Sequence, residues 1–180
     1  MRFATAGIFP SILRSSFPLL LLLILAGCGY RFPGGVESNI PHLRTFFVEG
    51  FDNKTSEAYA ATIVRSAFIN RFVQEGRFRL VGSRDRADVV CRGSVNSIQI
   101  SPLSYKSSTL AAEERMTIGM AIIFEERASG RVIWENRTVT GTSDYLVANM
   151  ALTEKNRRDA LLKLAGDSAE RTYLMMMSNF

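Results

Sequence analysis

The nine residues Met116-Thr-Ile-Gly-Met-Ala-Ile-Ile-Phe124 decide the fold. Large apolar side chains stand at every second position from Met116 to Phe124, and Thr117, Gly119 and Ala121 stand between them. A period of two is the pattern of a β-strand that buries one face. The stretch therefore predicts a central strand with one apolar face.

The neighbouring segments predict a strand on each side of this one. Ala128-Ser-Gly130 is a turn sequence that leads into a strand from Arg131 to about Thr142. The preceding strand starts near Asp88, but its apolar side chains change parity at Ile98. Because a strand keeps one face unless it contains a bulge, we expect a bulge near Asn96-Ser97. We expect residues 101–112 to form a long loop.

Residues further out predict two helices and two more strands. A helix over 56–75 is predicted by apolar residues at helical spacing, and Gly76 suits the position after its end. A second helix is expected from about Leu152 to Met177, with Thr153 as its N-cap. Short strands are predicted at 43–48 and 77–81.

This element order predicts an α/β (α+β) two-layer sandwich. One mixed sheet of four to five strands would carry two helices packed on one face. We expect residues 42–180 to form a single domain, since 153 residues remain after residue 27 and suffice for one core.

The N-terminal segment ends in Leu25-Ala-Gly-Cys28 and resembles the lipobox of bacterial lipoproteins. Arg2 and Arg14 are its only charges, and the apolar run Phe17–Leu25 is far shorter than the roughly 20 residues of a membrane span. A plain signal peptide would need no cysteine there. The resemblance implies a signal peptide over 1–27, lipidation of Cys28, and a tether over 28–41 that N-terminal acyl chains anchor to the membrane. Gly29, where an aspartate would favour the inner membrane, points to the outer membrane.

Composition limits the partners of the mature chain. The formal charge is +5 and falls to +3 once Arg2 and Arg14 are removed with the signal segment. A mildly basic domain outside the cytoplasm meets lipid headgroups, lipopolysaccharide phosphates or acidic proteins, and no nucleic acid. With Cys28 lipidated, Cys91 has no disulfide partner and is expected to be a buried apolar residue, with a reactive thiol as the alternative.

The chain lacks the patterns that indicate catalysis. His42, the single histidine, follows a proline in the tether, and no nucleophile motif, metal-binding spacing or phosphate-binding glycine loop is found. The carboxylate pairs Glu113-Glu114 and Glu125-Glu126 point to opposite faces of a strand and form no dyad. We therefore predict a binding protein without enzyme activity, cofactor or metal.

Topology suggests where a ligand would bind. The connection after the strand from Asp88 and the segment Leu146–Lys155 should lie at the same end of the sheet. Lys106, Tyr105, Lys155 and Arg115 are the candidate binding residues there, since cations beside an aromatic ring suit a phosphorylated, lipid-bearing sugar. The alternative is that these are ordinary solvated side chains in polar loops.

The mature chain resembles the lipopolysaccharide-assembly lipoproteins (LptE-like). Six short segments carry the resemblance through their order and spacing: 27–32, 48–55, 76–81, 87–90 leading to Gly93, 129–134 and 149–152. The resemblance implies a subunit that plugs and helps assemble an outer-membrane β-barrel translocon for lipopolysaccharide, and that binds lipopolysaccharide. It also implies basic ligand contacts near Lys106-Ser107 and near Glu154-Lys155.

Two other functions stay open at this stage. The chain could be an accessory lipoprotein of another envelope assembly or cell-wall system, which a pull-down of periplasmic partners alone would favour. It could be an envelope enzyme, which a hydrolase activity lost on a single substitution would indicate. The expected location is the outer membrane, with the body facing the periplasm or inside the barrel lumen.

Overall fold

The structure is a computed structural model that describes residues 43–107 and 110–178. Cys28, the signal segment, the tether and His42 lie outside the described residues. In chain order the elements are β1 Thr45–Val48, β2 Asp52–Asn53, α1 Ala60–Glu75, β3 Arg79–Leu80, a 3-10 turn Arg84–Arg86, β4 Val89–Ser107, β5 Leu110–Glu126, β6 Val132–Leu146 and α2 Met150–Met177.

The strands form one mixed sheet in the order β3-β1-β4-β5-β6. β1 pairs in parallel with β3 on one side and with β4 on the other, as a β-α-β unit requires. The two-residue strand β2, which has too few residues to leave a sequence pattern, pairs with β4 beyond the end of β1. β4, β5 and β6 form an antiparallel meander.

The register of β4 against β5 explains its parity change. Val95 lies opposite Met120 and Ser97 lies opposite Gly119, so Asn96 is the extra residue of a bulge. Ile98 then returns to the face of Ile118. The predicted bulge is confirmed.

The predicted loop over residues 101–112 is wrong. β4 continues to Ser107 and β5 starts at Leu110, so this segment is the end of a long hairpin. Proline cannot donate a hydrogen bond to a neighbouring strand, so Pro102 fits here only at an irregular point of the pairing. The hairpin accommodates this region through register shifts between Pro102 and Ser107, where pairing is irregular.

Both helix ends follow local capping rules. Gly76 closes α1 with φ 67°, the left-handed conformation that favours glycine, as predicted. The N-cap of α2 is Asn149, whose side chain accepts a hydrogen bond from Leu152 N at 3.0 Å. The prediction of Thr153 as N-cap is wrong: its hydroxyl instead accepts a hydrogen bond from Ala148 N at 2.9 Å.

The two helices cover one face of the sheet. Along β5 every even-numbered residue from Met116 to Phe124 is buried, and these side chains meet the buried stripes of α1 and α2. Phe72 of α1 stacks on Phe46 at 4.8 Å and on Phe124 at 5.3 Å between ring centroids. The predicted two-layer α+β arrangement is confirmed.

The odd-numbered side chains of β5 lie on the opposite face with their neighbours on β4 and β6. Neither α1 nor α2 packs on that side in the part of the chain that the structure describes. We call this side of β4, β5 and β6 the open face.

Candidate functional site

One end of the meander projects beyond its edge strand. β6 ends at Leu146, opposite Glu113, whereas β4 and β5 continue towards residues 107 and 110. The chain leaves β6 alongside this projection, because Val147 N donates a hydrogen bond to Ala112 O at 2.9 Å. We call this region the hairpin end: residues 101–107, 110–115 and 144–149, with α2 up to Arg158.

Lys106 and Tyr105 lie at the projecting part of the hairpin end. The ammonium group of Lys106 donates a hydrogen bond to Val147 O at 3.0 Å. No carboxylate among the described residues lies within ion-pair distance of it, so none of these residues compensates its positive charge. Tyr105 is 60% exposed. The projecting part of the hairpin end therefore carries one cation and one accessible aromatic ring on consecutive residues of β4.

The other two predicted residues are engaged in ion pairs. Lys155 Nζ lies 2.5 Å from Asp159 Oδ2 one helical turn later. Arg115 donates two hydrogen bonds to Asp144, at 2.7 and 2.8 Å. The hydrogen bond from Arg115 lowers the pKa of the Asp144 carboxyl below its ordinary value.

The structure does not bring all four predicted residues onto one surface. Arg115 has odd parity on β5 and therefore lies on the open face, whereas Lys155 belongs to the helical layer. Lys106 lies next to the β6–α2 connection, which leads directly to Lys155. The candidate group is therefore Lys106, Tyr105 and Lys155, and Arg115 lies apart from α2.

Exposed apolar side chains also lie at the hairpin end, and the sequence analysis did not identify them. Met150 is 90% exposed, and the other large apolar residues exposed at this end are Leu103, Leu146 and Leu152. Met150 and Leu152 lie outside the buried face of α2. Their positions do not match the helical period of that face, and this mismatch is the sequence signal that could have identified them. Singly scattered apolar residues need no explanation, but a group at one end marks a binding surface.

A polar network holds the base of the hairpin end in place. The buried Tyr145 hydroxyl donates a hydrogen bond to Glu114 Oε2 at 2.5 Å across β5 and β6. Burial, followed by this hydrogen bond and the Glu114 charge, raises the pKa of Tyr145, so the phenol remains a donor. Asn156 donates from its side chain to Leu146 O at 2.9 Å, and Arg157 forms an ion pair with Glu57. The start of α2 is thus attached to both layers.

A hollow of about 310 Å³ lies between the end of β6 and α2 at this site. Its lining includes the apolar Leu146 and Ala160, the cation Lys163 and the carboxylates Asp144 and Asp159. Because both signs of charge line it, the hollow itself does not select an anion, and the cation Lys106 lies outside it.

Neither a metal site nor a reactive thiol is found among the described residues. Within them, no three histidine, cysteine, aspartate or glutamate side chains are grouped closely enough to bind a metal ion. Cys91 is fully buried, and burial raises the pKa of its thiol, which keeps it protonated and unreactive. In this same part of the chain, neither helix combines the length and the apolar character that crossing a bilayer requires.

Comparisons with known proteins give a family match and a fold match. A family model described as "LptE: Lipopolysaccharide-assembly" matches residues 43–176. A lipoprotein from Caulobacter crescentus has a similar solved structure, with TM-score 0.52 and 15% identity over 72% of this chain and 88% of that one. A Xanthomonas campestris protein, XCC0632, reaches TM-score 0.47 and 12% identity over 71% of this chain and 84% of that one. No curated protein sequence matches.

The Caulobacter likeness, at this level of identity, supports the fold alone. The family model spans every strand of the sheet, α1, and α2 except for its last residue.

Proposed function

The chain belongs to the LptE family of lipopolysaccharide-assembly lipoproteins, and we propose that it is the lipid-anchored subunit of an outer-membrane β-barrel translocon for lipopolysaccharide. Cys28 would carry the acyl chains that hold it at the membrane, and residues 29–41 would connect this anchor to the domain. The body would occupy the periplasmic mouth or the lumen of the barrel, assist its assembly, and bind lipopolysaccharide during insertion into the outer leaflet.

The observation that carries the ligand part of this proposal is the composition of the hairpin end. Lipopolysaccharide combines phosphate groups with acyl chains, and the hairpin end combines the uncompensated cation Lys106 with exposed apolar residues such as Leu103 and Met150. Lysine binds phosphate as a point charge, and apolar side chains favour acyl chains through the hydrophobic effect. A ligand with only one of these two parts would leave half of this surface unused.

Lys155 would contribute to ligand binding only after giving up its ion pair with Asp159. Its amine must exchange Asp159 for a ligand phosphate, but both side chains are more than half exposed. Exposed ion pairs of this kind contribute only about 0.3–0.5 kcal/mol. A phosphate that offers two or more negative oxygens therefore competes with Asp159 easily.

The test is lipopolysaccharide binding by the full-length lipoprotein in detergent. We expect the double variant Lys106→Glu and Lys155→Glu to bind at least about tenfold more weakly, since tenfold corresponds to 1.4 kcal/mol and two charge-assisted contacts exceed this. Raising the ionic strength should reduce the difference, because exposed charges are screened.

The double variant Lys54→Glu and Arg137→Glu is the matched control. It changes the net charge by the same amount, both side chains are exposed, and both lie outside the hairpin end. Arg137 forms an exposed ion pair with Glu135 at 3.2 Å, as Lys155 does with Asp159. Equal affinity of the wild type and the double variant would contradict the assignment of the site. An equal loss of lipopolysaccharide affinity in the control and in the double variant would mean that the effect comes from net charge alone. Neither result bears on the translocon role, which recovery of the barrel partner tests separately.

A further inference from the structure

The open face differs from an ordinary solvated sheet face in its charge. Eight central positions on three adjacent strands bear no ionisable side chain: Ser94, Ser97, Gln99, Thr117, Gly119, Ala121, Thr140 and Thr142. Soluble surfaces usually carry about 25–35% charged residues, so a neutral area of this extent is unusual. Loss of charged residues is the compositional sign of the centre of a protein interface.

Charges border this neutral area, and the main ones are already paired within the chain. On β6, Arg137 lies in the bulge opposite Ala121 and forms an ion pair with Glu135 at 3.2 Å. Arg115 and Asp144 bind each other at one end. At the other end, the buried Glu125 forms ion pairs with Arg84 at 2.8 Å and with Arg92 at 3.0 Å. A partner that covers the face therefore meets mainly charges that are already paired, which lowers the cost of removing water from them.

The side chains at the centre of the open face are also mostly short. A Cβ at Gly119 would lie 2.6 Å from Ser97 Oγ, so this position has no room for a side chain unless Ser97 moves. Its neighbours are serine, threonine and alanine, whose side chains extend little above the sheet. A flat partner can therefore approach closely along all three strands.

We propose that the open face lies against the polar inner wall of the barrel, while the helical layer faces away from that part of the wall. This inference rests on the proposed function. The interior of an outer-membrane barrel is built of strands whose lumen-facing side chains are polar, so hydroxyl groups of the open face can donate to them and accept from them. A lipid surface fits poorly, because the centre of the face has neither cations nor large apolar side chains.

Site-specific photo-crosslinking in living cells tests which face meets the barrel. A photoreactive residue is placed at Gln99 or Thr140 on the open face of the tagged full-length chain, and at the matched positions Gln74 and Thr62 on the outer side of α1. All four side chains are exposed. We expect covalent products with one large outer-membrane protein from Gln99 and Thr140, several times more abundant than those from Gln74 and Thr62.

A substitution pair provides an independent measurement. Thr140→Arg places a charge in the neutral area and should reduce the amount of barrel that co-purifies, whereas Thr62→Arg should not. Because Thr140 is exposed, a thermal melt of each variant should match the wild type.

Four results would overturn the inference. Crosslinking to the barrel from Gln74 and Thr62 alone would mean that the helical layer faces the barrel wall. Equal crosslinking from all four positions would mean that neither face is preferred. In both cases the proposed function would stand, because the barrel protein is still captured. Products consisting only of a second copy of this chain would identify the face as a dimer interface. Absence of any large membrane protein from both the crosslinks and the tag purification would remove the proposed function together with the inference.

Discussion

Replacing Asp88 with alanine should destabilise the domain, because one carboxylate oxygen joins the start of β4 to β1. Asp88 Oδ2 accepts hydrogen bonds from Arg44 N at 2.9 Å, from Thr45 N at 2.9 Å and from Thr45 Oγ1 at 2.8 Å. In return, Asp88 N donates to Thr45 Oγ1 at 2.9 Å. The side chain therefore supplies the acceptor that backbone pairing does not provide at this edge.

The size of the effect follows from burial of the donors. Thr45 is only 8% exposed, so its N–H would be left unpaired away from water, which costs about 1–3 kcal/mol. Arg44 is exposed, and its N–H can turn to water at a loss of about 0.5–1.5 kcal/mol. The Thr45 hydroxyl keeps its bond to Arg86 O. We expect a total loss of about 2–4 kcal/mol in the free energy of unfolding.

The loss should depend on pH in a definite direction. Partial burial raises the pKa of Asp88, but hydrogen bonds from Arg44, Thr45 and the nearby Arg127 charge outweigh it, and the net pKa is lowered. A lowered folded-state pKa stabilises the fold above the unfolded-state pKa, about 3.9, and this contribution disappears as pH falls through the folded value. The difference between wild type and Asp88→Ala should be constant above about pH 5 and shrink below about pH 4.

Urea unfolding followed by Trp134 fluorescence measures both effects. With a slope of about 2 kcal/mol per molar urea, the midpoint should fall by about 1–2 M. Asp85→Ala, which removes an exposed carboxylate of the adjacent 3-10 turn, should leave the midpoint almost unchanged. A loss below about 0.5 kcal/mol for Asp88→Ala, or the same loss at pH 3 as at pH 7, would refute the role given to this carboxylate.

Three further substitutions test the packing. Phe72→Ala should cost about 3–5 kcal/mol in chemical denaturation, because it leaves a cavity among four aromatic rings; a loss near 1 kcal/mol would mean that the core closes around it. Gly141→Ala should cost about 1–3 kcal/mol, since its Cβ would lie 2.8 Å from Ser168 Oγ, and adding Ser168→Ala should restore part of the melting temperature. Asn149→Ala should lower stability by about 1 kcal/mol through loss of the cap of α2, and an unchanged thermal melt would contradict that cap.

Residue pattern predicted the layers of this fold better than the lengths of its strands. The alternation over Met116–Phe124 was sufficient to predict the buried face of the sheet. The parity change at Ile98 was sufficient to predict the bulge. Both predictions depend only on the period of the apolar residues. The hairpin end could not be predicted in this way. Residues 101–107 include a proline and several polar residues, and they become a strand only because β5 lies beside them.

The candidate site was only partly predictable for the same reason. The order of the strands predicted that the segment after β6 lies close to Lys106. The hydrogen bond from Lys106 Nζ to Val147 O shows this contact. The face on which Arg115 lies depended on the register between β5 and β6, and this register follows from pairing rather than from the local sequence. Predicting the exposed apolar residues around Met150 would have required knowledge of how α2 lies against the sheet.

The most direct test of the proposed function is the mass and composition of the complex that the tagged full-length chain forms in outer membranes. Gentle detergent extraction followed by native mass spectrometry should yield one copy of this chain bound to one large β-barrel protein, with lipopolysaccharide retained. The chain recovered alone, or only with periplasmic or cell-wall partners, would contradict a role as a translocon subunit.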